Sequence, residues 1–292
     1  MPSIDIHTIL RQHPPQLQAA LNLESGSARI EVQSLLQAVL NVDRAYLLAH
    51  PERRLESDQR ARYVDLFERR LNGEPLAYLL GEREFYGLAF KVTPATLIPR
   101  PETELLVELA LQRMPQQGAC RVLDLGTGSG AIALSISRSR RDAEVLAVDA
   151  SAAALEVAKS NAKRLDAGNV RWLHSNWFAA LHGERFDIIV SNPPYIAAGD
   201  AHLTRGDVRF EPQSALVSGA DGLDDIRRII EMSKNHLHAC GWLLLEHGYG
   251  QSARVRDLLR QTGFDSVFSA RDLAGIERVS GGSCPPQAKT AG

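Results

Sequence analysis

At 292 residues with a net charge of −2, 44% hydrophobic and 23% charged residues, the chain has globular composition and room for one large domain and a small one. No run approaches the roughly 18 apolar residues of a membrane span, the amino terminus lacks a basic-then-apolar leader, and the charge balance argues against nucleic-acid binding through bulk electrostatics. Three widely spaced cysteines without a C-x-x-C and nine histidines without an H-E-x-x-H indicate neither a disulfide framework nor a metal site, so a cytoplasmic, metal-free protein is expected.

Residues 1–75 read as helical. Ile30, Leu35, Leu36, Val39 and Leu40 recur at helical spacing, as do Tyr63, Val64, Leu66, Phe67 and Leu71, and Asn72-Gly73 stops the last helix. The segment contains arginine but no lysine, roughly balanced by acids, which favours a solvated bundle over a phosphate-binding face. It carries no catalytic motif, and so is a candidate substrate-docking or lid module. In residues 76–100, Phe85, Tyr86, Phe90 and Val92 with Gly81 and Gly87 suggest a β-hairpin linker. Pro101 then suits the first turn of a helix, with Glu102 and Glu104 near its positive end and Leu105, Leu106, Leu109 and Leu111 on its apolar side. Arg100 and Glu102 fit a capping arrangement as well as a place near a cofactor.

Strand and helix alternate through the larger domain, residues 101–280. A strand at 122–125 enters the turn Gly126-Thr127-Gly128-Ser129-Gly130, where glycines let the backbone approach a ligand and a helix start presents unpaired N–H groups. The spacing is G-x-G-x-G, not the G-x-G-x-x-G of a dinucleotide site. A second strand, 145–148, ends in Asp149, which suits a pair of ribose hydroxyls or the cap of the next helix. A third, 170–173, precedes Asn176-Trp177-Phe178, positions suited to flanking an adenine, with plain core packing open for Trp177. The fourth, 186–190, is a buried apolar run that delivers Ser191-Asn192-Pro193-Pro194-Tyr195. The prolines hold Asn192 stiffly at the strand's carboxyl end, where open α/β sheets bind ligands. Its acceptor and donor suit a substrate that is an amide or an amino-heterocycle, with the Tyr195 ring beside it; a simple strand-ending turn is the alternative. A helix to about His238, a strand at 241–246, a helix at 252–261 and final strands holding Val267 and Val279 complete an α/β fold with helices on both faces of a largely parallel sheet. Residues 281–292 read as a disordered tail.

Leu76-Ala77-Tyr78 and the stretches 97–104, 124–130, 192–195 and 211–222 together resemble the protein-glutamine methyltransferases that modify peptide chain release factors, over nearly the whole chain. The resemblance implies a Rossmann-like class I S-adenosylmethionine-dependent methyltransferase domain with a mostly parallel seven-stranded sheet, preceded by a helical bundle and a β-hairpin linker. It implies S-adenosylmethionine against Gly126, Thr127, Gly128, Ser129, Gly130, Asp149, Trp177 and Asn192. Asn192, Pro193, Pro194 and Tyr195 would hold the substrate amide, and Asn192, Pro193 and Tyr195 would be the catalytic set, with the Pro193 carbonyl as a second acceptor. A class 1 release factor would be the partner and the glutamine of its Gly-Gly-Gln loop the acceptor, for a monomer that contacts neither membrane nor nucleic acid. The chain departs from the family at Asn176, where an acid is usual, and at Glu277, where an aspartate is. A ribosomal-protein glutamine, a nucleic-acid amino group and a non-enzymatic binding role are the competing readings.

Overall fold

The structure, a computed structural model, describes residues 4–116 and 118–286. It divides the chain into two units: one runs to Gly81 and takes back Ala201–Phe210, and the other holds Glu82–Asp200 and the chain from Glu211.

The first unit contains α1 (Ile6–Leu21), α2 (Ser25–Leu40), α3 (Arg44–Ala49), α4 (Ser57–Leu71) and α5 (Leu76–Leu80). Side chains close the helix starts, Asp5 accepting the Thr8 N–H of α1 and Asp43 the Tyr46 N–H of α3, each at 2.8 Å. Ile6, Ile9, Leu17, Leu35, Leu36, Tyr63 and Phe67 form its core. Ile30 and Val64, included in the periodic runs, instead lie on outer faces at 58% and 37% exposure. Residues 76–80, expected within the hairpin linker, are helical: Pro75 sets the entry, Gly81 at φ 76° stops the turn, and Leu76, Leu79 and Leu80 pack on the helical core. The arginines are matched by acids. Arg69 bridges Asp65 and Glu74, while Arg70, only 4% exposed, grips both Glu31 oxygens at 2.7 and 3.1 Å and reaches Asp207 at 3.1 Å on the returning segment.

The second unit opens with the hairpin β1 (Glu82–Phe85) and β2 (Leu88–Lys91), turned at Tyr86-Gly87, both at positive φ. A 3₁₀ turn, Pro101–Thr103, runs into α6 (Glu104–Arg113). There follow β3 (Arg121–Leu125), α7 (Ala131–Ser139), β4 (Glu144–Asp149), α8 (Ala152–Arg164), β5 (Val170–His174), β6 (Phe186–Ser191), α9 (Asp224–Ser233), β7 (Leu237–Glu246), α10 (Ser252–Gln261), β8 (Asp265–Arg271) and β9 (Glu277–Ser283). They build a seven-stranded sheet in the order β5-β4-β3-β6-β7-β9-β8, parallel except where β9 runs against β7 and β8. Both faces are buried. Val122, Val145, Ala147, Ile188 and Val190 face α6 and α7, while Leu123, Leu125, Leu146, Val148, Ile189, Leu243 and Leu245 face α9 and α10. That two-sided burial is why the strands read as unbroken apolar runs.

Two expectations change here. The helix expected to reach His238 ends at Ser233, because the fully buried Leu237 already pairs with Phe186 as the first residue of β7. The tail expected from Gly281 is, over Gly281–Ser283, the end of β9. Those glycines serve close packing: a Cβ on Gly281 would lie 2.5 Å from the Leu243 carbonyl oxygen, and one on Gly282 2.9 Å from Phe264 Cβ. Residues 287–292 lie outside the described residues. Among the described residues no helix is long and apolar enough to cross a membrane, and no cluster of side chains is arranged to hold a metal.

Candidate active site

Chain direction across the sheet reverses beside β3, since β4 and β5 extend to one side and β6 to the other. Parallel α/β sheets open a crevice at the carboxyl ends of the strands at such a point. Here it holds a cavity of about 530 Å³ walled by the turns after β3, β4, β5 and β6, by residues 95–97, Pro99 and Thr103, and by Pro212, Ser214, Ala215 and Asp225. A cavity of that size suits a cofactor-sized ligand.

The floor is the glycine turn. Gly126, Gly128 and Gly130 all take positive φ, at 73°, 57° and 82°, a conformation that other residues adopt only under strain. A Cβ at Gly128 would meet no protein atom within 4 Å, so its backbone lies open for close approach, whereas one at Gly126 would stand 3.3 Å from the Trp177 ring. Asp124 fastens the turn from beneath: one oxygen accepts the Thr127 hydroxyl at 2.7 Å and the Ala133 N–H at 3.2 Å. Its other oxygen is buried without a partner, and burial pushes the carboxyl up to about 7. Asn161, fully buried on α8, donates to the Ser129 carbonyl at 2.9 Å and clasps both backbone groups of Lys91 at 2.7 and 3.0 Å, tying the turn to β2.

At the end of β4, Asp149 lines the cavity and accepts the N–H of Gly128 through one oxygen and that of Ser151 through the other, both at 2.8 Å. The capping alternative is corrected, because Ser151 itself caps α8 by accepting the Ala154 N–H at 3.1 Å. Burial pushes the Asp149 carboxyl above its ordinary range. After β5, Asn176 and Trp177 line the cavity. Trp177 holds a left-handed backbone at φ 52°, and its indole N–H donates to Asp225 at 3.1 Å, a carboxylate that also accepts the Ser218 hydroxyl at 2.7 Å. The bond to Asp225 steadies a strained backbone at the cavity wall. Phe178 does not join it. That ring lies in the core and stacks on His236 at 4.8 Å between centroids.

β6 ends in Ser191, whose hydroxyl donates to the Leu125 carbonyl at 2.7 Å and clamps the strand end to β3. Asn192 and Pro194 line the cavity. The Asn192 Nδ2 donates to the Thr103 hydroxyl oxygen at 3.2 Å, so the amide oxygen remains as its free acceptor. Pro193 is buried and, like Tyr195, is not part of the cavity wall. The Tyr195 ring packs beside the α9/α10 core, with its hydroxyl 3.4 Å from Glu246. Arg100 is the N-cap of the 3₁₀ turn, its carbonyl accepting the Thr103 N–H at 3.0 Å, and Glu102 lies in the first turn, though neither side chain caps it. The Arg100 side chain pairs instead with the buried carboxylate of Glu211, which also accepts the Ile98 N–H at 3.0 Å, and this pair fixes the segment carrying Pro99 and Thr103. Asn161, Asp225 and Glu246 carry no motif, and Thr103, though it lies within the stretch 97–104, carries no signal of a place in the site. Only the short-range pattern of Glu246, an acid ending an apolar strand, could have flagged one of them.

Residues 102–209 match the methyltransferase small domain family, and residues 15–81 match the PrmC N-terminal domain. Over 263 residues the chain is 50% identical to the release factor glutamine methyltransferase of Salmonella typhimurium, spanning 90% of this chain and 95% of that protein. The chain belongs to the release factor glutamine methyltransferase family. A second member, from Bordetella pertussis, is 52% identical over 260 residues, 89% of this chain and 96% of its own. A methyltransferase from Pyrococcus furiosus shares the fold at a TM-score of 0.52 and 18% identity, covering 79% of this chain and all of that one. In this member, the glycine floor, Asp149, Trp177 and Asn192 stand around one cavity in the second unit.

Proposed function

We propose that the protein transfers the methyl group of S-adenosylmethionine to the side-chain amide nitrogen of the glutamine in the Gly-Gly-Gln loop of a class 1 peptide chain release factor, in the cytoplasm. The observation that carries this reading is the orientation of Asn192: one hydrogen of its NH₂ goes to the Thr103 hydroxyl oxygen, which turns the amide oxygen away from that partner and free to accept an N–H in the cavity. The residues present fit the cofactor. Gly128 leaves open backbone, Asp149 keeps unused lone pairs for ribose hydroxyls, and Trp177 offers a flat apolar face. S-adenosylmethionine, when bound, supplies a sulfonium methyl that is already electrophilic.

What remains for the protein is orientation. An amide nitrogen is a poor nucleophile because its lone pair is delocalised into the carbonyl. Asn192 Oδ1 would accept one of its N–H groups and aim the nitrogen at the methyl; the Pro193 carbonyl, which the resemblance implies as the second acceptor, lies outside the cavity wall. Such positioning is worth up to roughly 7–11 kcal/mol in ideal intramolecular cases. We assign the helical unit to recognition of the protein substrate, supported by the match of residues 15–81 to the PrmC N-terminal domain, a unit separate from the one that holds the cavity.

The test is labelled methyl transfer to release factors that differ only at the target residue. The glutamine form is expected to be labelled. A glutamate form offers no N–H donors and should be rejected by roughly 10⁴–10⁵. An asparagine form is one methylene short, leaves its nitrogen about an ångström or more from the methyl, and should label little. Equal labelling of the asparagine form would contradict the orientation mechanism.

A further inference from the structure

The chain leaving β6 is gripped at both ends of its proline-bearing span. At the near end Ser191 pairs with Leu125 and Leu245 in the sheet and donates its hydroxyl to the Leu125 carbonyl at 2.7 Å. Asn192, Pro193 and Pro194 follow, and the prolines have a fixed φ and no N–H to give, so the span is stiff but cannot be held by a strand ladder. At the far end the Tyr195 carbonyl accepts a hydrogen of Gln251 Nε2 at 3.0 Å. Ile196, the next residue, bridges Val217, so the Gln251 contact lies between that bridge and Asn192.

Gln251 is half-buried and stands just before α10, yet its side chain does not cap that helix. Its amide joins two loops instead. While Nε2 donates to the Tyr195 carbonyl, Oε1 accepts the Gly248 N–H at 2.8 Å, so both ends of the amide are engaged and its orientation is fixed. Two glycines make room for this clasp. A Cβ on Gly222, in the turn before α9, would fall on the Tyr195 carbonyl oxygen and lie 2.9 Å from Gln251 Nε2, and one on Gly248 would lie 3.1 Å from Gln251 Oε1 and 3.3 Å from the Tyr195 ring.

We propose that Gln251 is a positioning residue for methyl transfer: by gripping the Tyr195 carbonyl it fixes the far end of the span 192–195, and the two prolines carry that constraint back to Asn192 and Pro194 at the cavity wall. Released from the grip, the span can swing about Ser191, and Asn192 Oδ1 moves with it. Misplacing a reacting group by about an ångström can cost about a hundredfold in rate, so a contact remote from the chemistry controls it. Gln251 is not part of the cavity wall and acts through the backbone of Tyr195. This inference rests on the methyl-transfer reading above.

The test compares wild-type protein with Gln251→Leu and Gln251→Glu, measuring S-adenosylmethionine affinity by calorimetry and single-turnover methyl transfer over a range of release factor concentrations, with a melt to show that each variant is folded. Leucine removes both bonds. Glutamate keeps an acceptor for Gly248 and adds a charge that is favourable at the start of α10, but it sets an oxygen against the Tyr195 carbonyl. Both are expected to lower the transfer rate at saturating release factor about ten- to a hundredfold, glutamate at least as much as leucine. Cofactor affinity and the release factor concentration giving half the maximal rate should each stay within about threefold, because the clasp belongs to neither binding surface. Transfer within about twofold of wild type in either folded variant overturns the inference, and in the glutamate variant it would reduce Gln251 to a brace for the loop before α10. So does a loss of affinity as large as the loss of rate, or the unfolding of both variants, which would make Gln251 a residue of stability alone. A wild-type protein that labels no release factor in the same assay would instead overturn the methyl-transfer reading itself.

Discussion

Replacing Asp149 by alanine separates the proposed ribose contact from ordinary stability. The carboxylate accepts two backbone hydrogens, from Gly128 and Ser151, each at 2.8 Å, and each oxygen keeps a further lone pair toward the cavity. Alanine removes the internal acceptors and the ligand acceptor together. A hydrogen bond to a charged group contributes about 1.5–3 kcal/mol, so losing the equivalent of one such bond to a ribose hydroxyl should raise the Kd for S-adenosylmethionine about ten- to a hundredfold. The internal loss appears separately, as a lower melting temperature of the ligand-free protein. Asparagine is expected to do no better than alanine: it keeps one acceptor but must turn its NH₂ against the N–H of either Gly128 or Ser151. Calorimetric titration at fixed salt and pH gives the affinity, and a melt confirms that the variant is folded. A folded alanine variant whose Kd lies within about twofold of wild type would refute the ribose assignment and leave Asp149 as a brace for the glycine turn.

Asn192→Ala should lose methyl transfer while keeping cofactor affinity within about tenfold, since its oxygen is assigned to the substrate amide; near-normal single-turnover labelling would contradict this. Asp124 makes stability depend on pH. Its folded pKa of about 7 lies above the ordinary 3.8, so the native state holds a proton that the unfolded chain releases, and the stabilisation that this proton confers is present below the unfolded value and lost as pH rises through the folded one. Relative to Asp124→Asn, the wild-type protein should therefore lose about 2–3 kcal/mol between about pH 5 and pH 8, measured by denaturant unfolding; a pH-independent difference would contradict the assignment. Comparison with the variant cancels the opposite contributions of His13 and His247, whose pKa values burial lowers.

Strands buried on both faces announce themselves as short apolar runs, and the glycine turn and Asn192-Pro193-Pro194-Tyr195 follow such runs directly, so the sheet and the backbone of the site were legible in the sequence. The partners were not. Thr103 lies 89 positions from Asn192, Asp225 48 from Trp177 and Asp207 137 from Arg70, and no local pattern brings such residues together. The return of Ala201–Phe210 to the helical unit depends on pairing of this kind, Asp207 with Arg70 and the Arg209 guanidinium with the Asn72 carbonyl at 2.6 Å. Gly281 and Gly282 misled in a different way. Glycine reads as flexibility, but here it admits a neighbouring strand and a phenylalanine at distances no side chain would allow. Tyr195 likewise promised an aromatic wall, yet its ring packs against the α9/α10 core and is not part of the cavity wall.

The central claim is tested most directly by incubating the protein with S-adenosylmethionine and an intact class 1 release factor, digesting the release factor and locating the added methyl group by mass spectrometry. The account predicts a single methyl on the side-chain amide of the Gly-Gly-Gln glutamine, absent when Asn192→Ala replaces the wild-type protein. A methyl group on any other residue, or none with a protein that binds the cofactor, would contradict it.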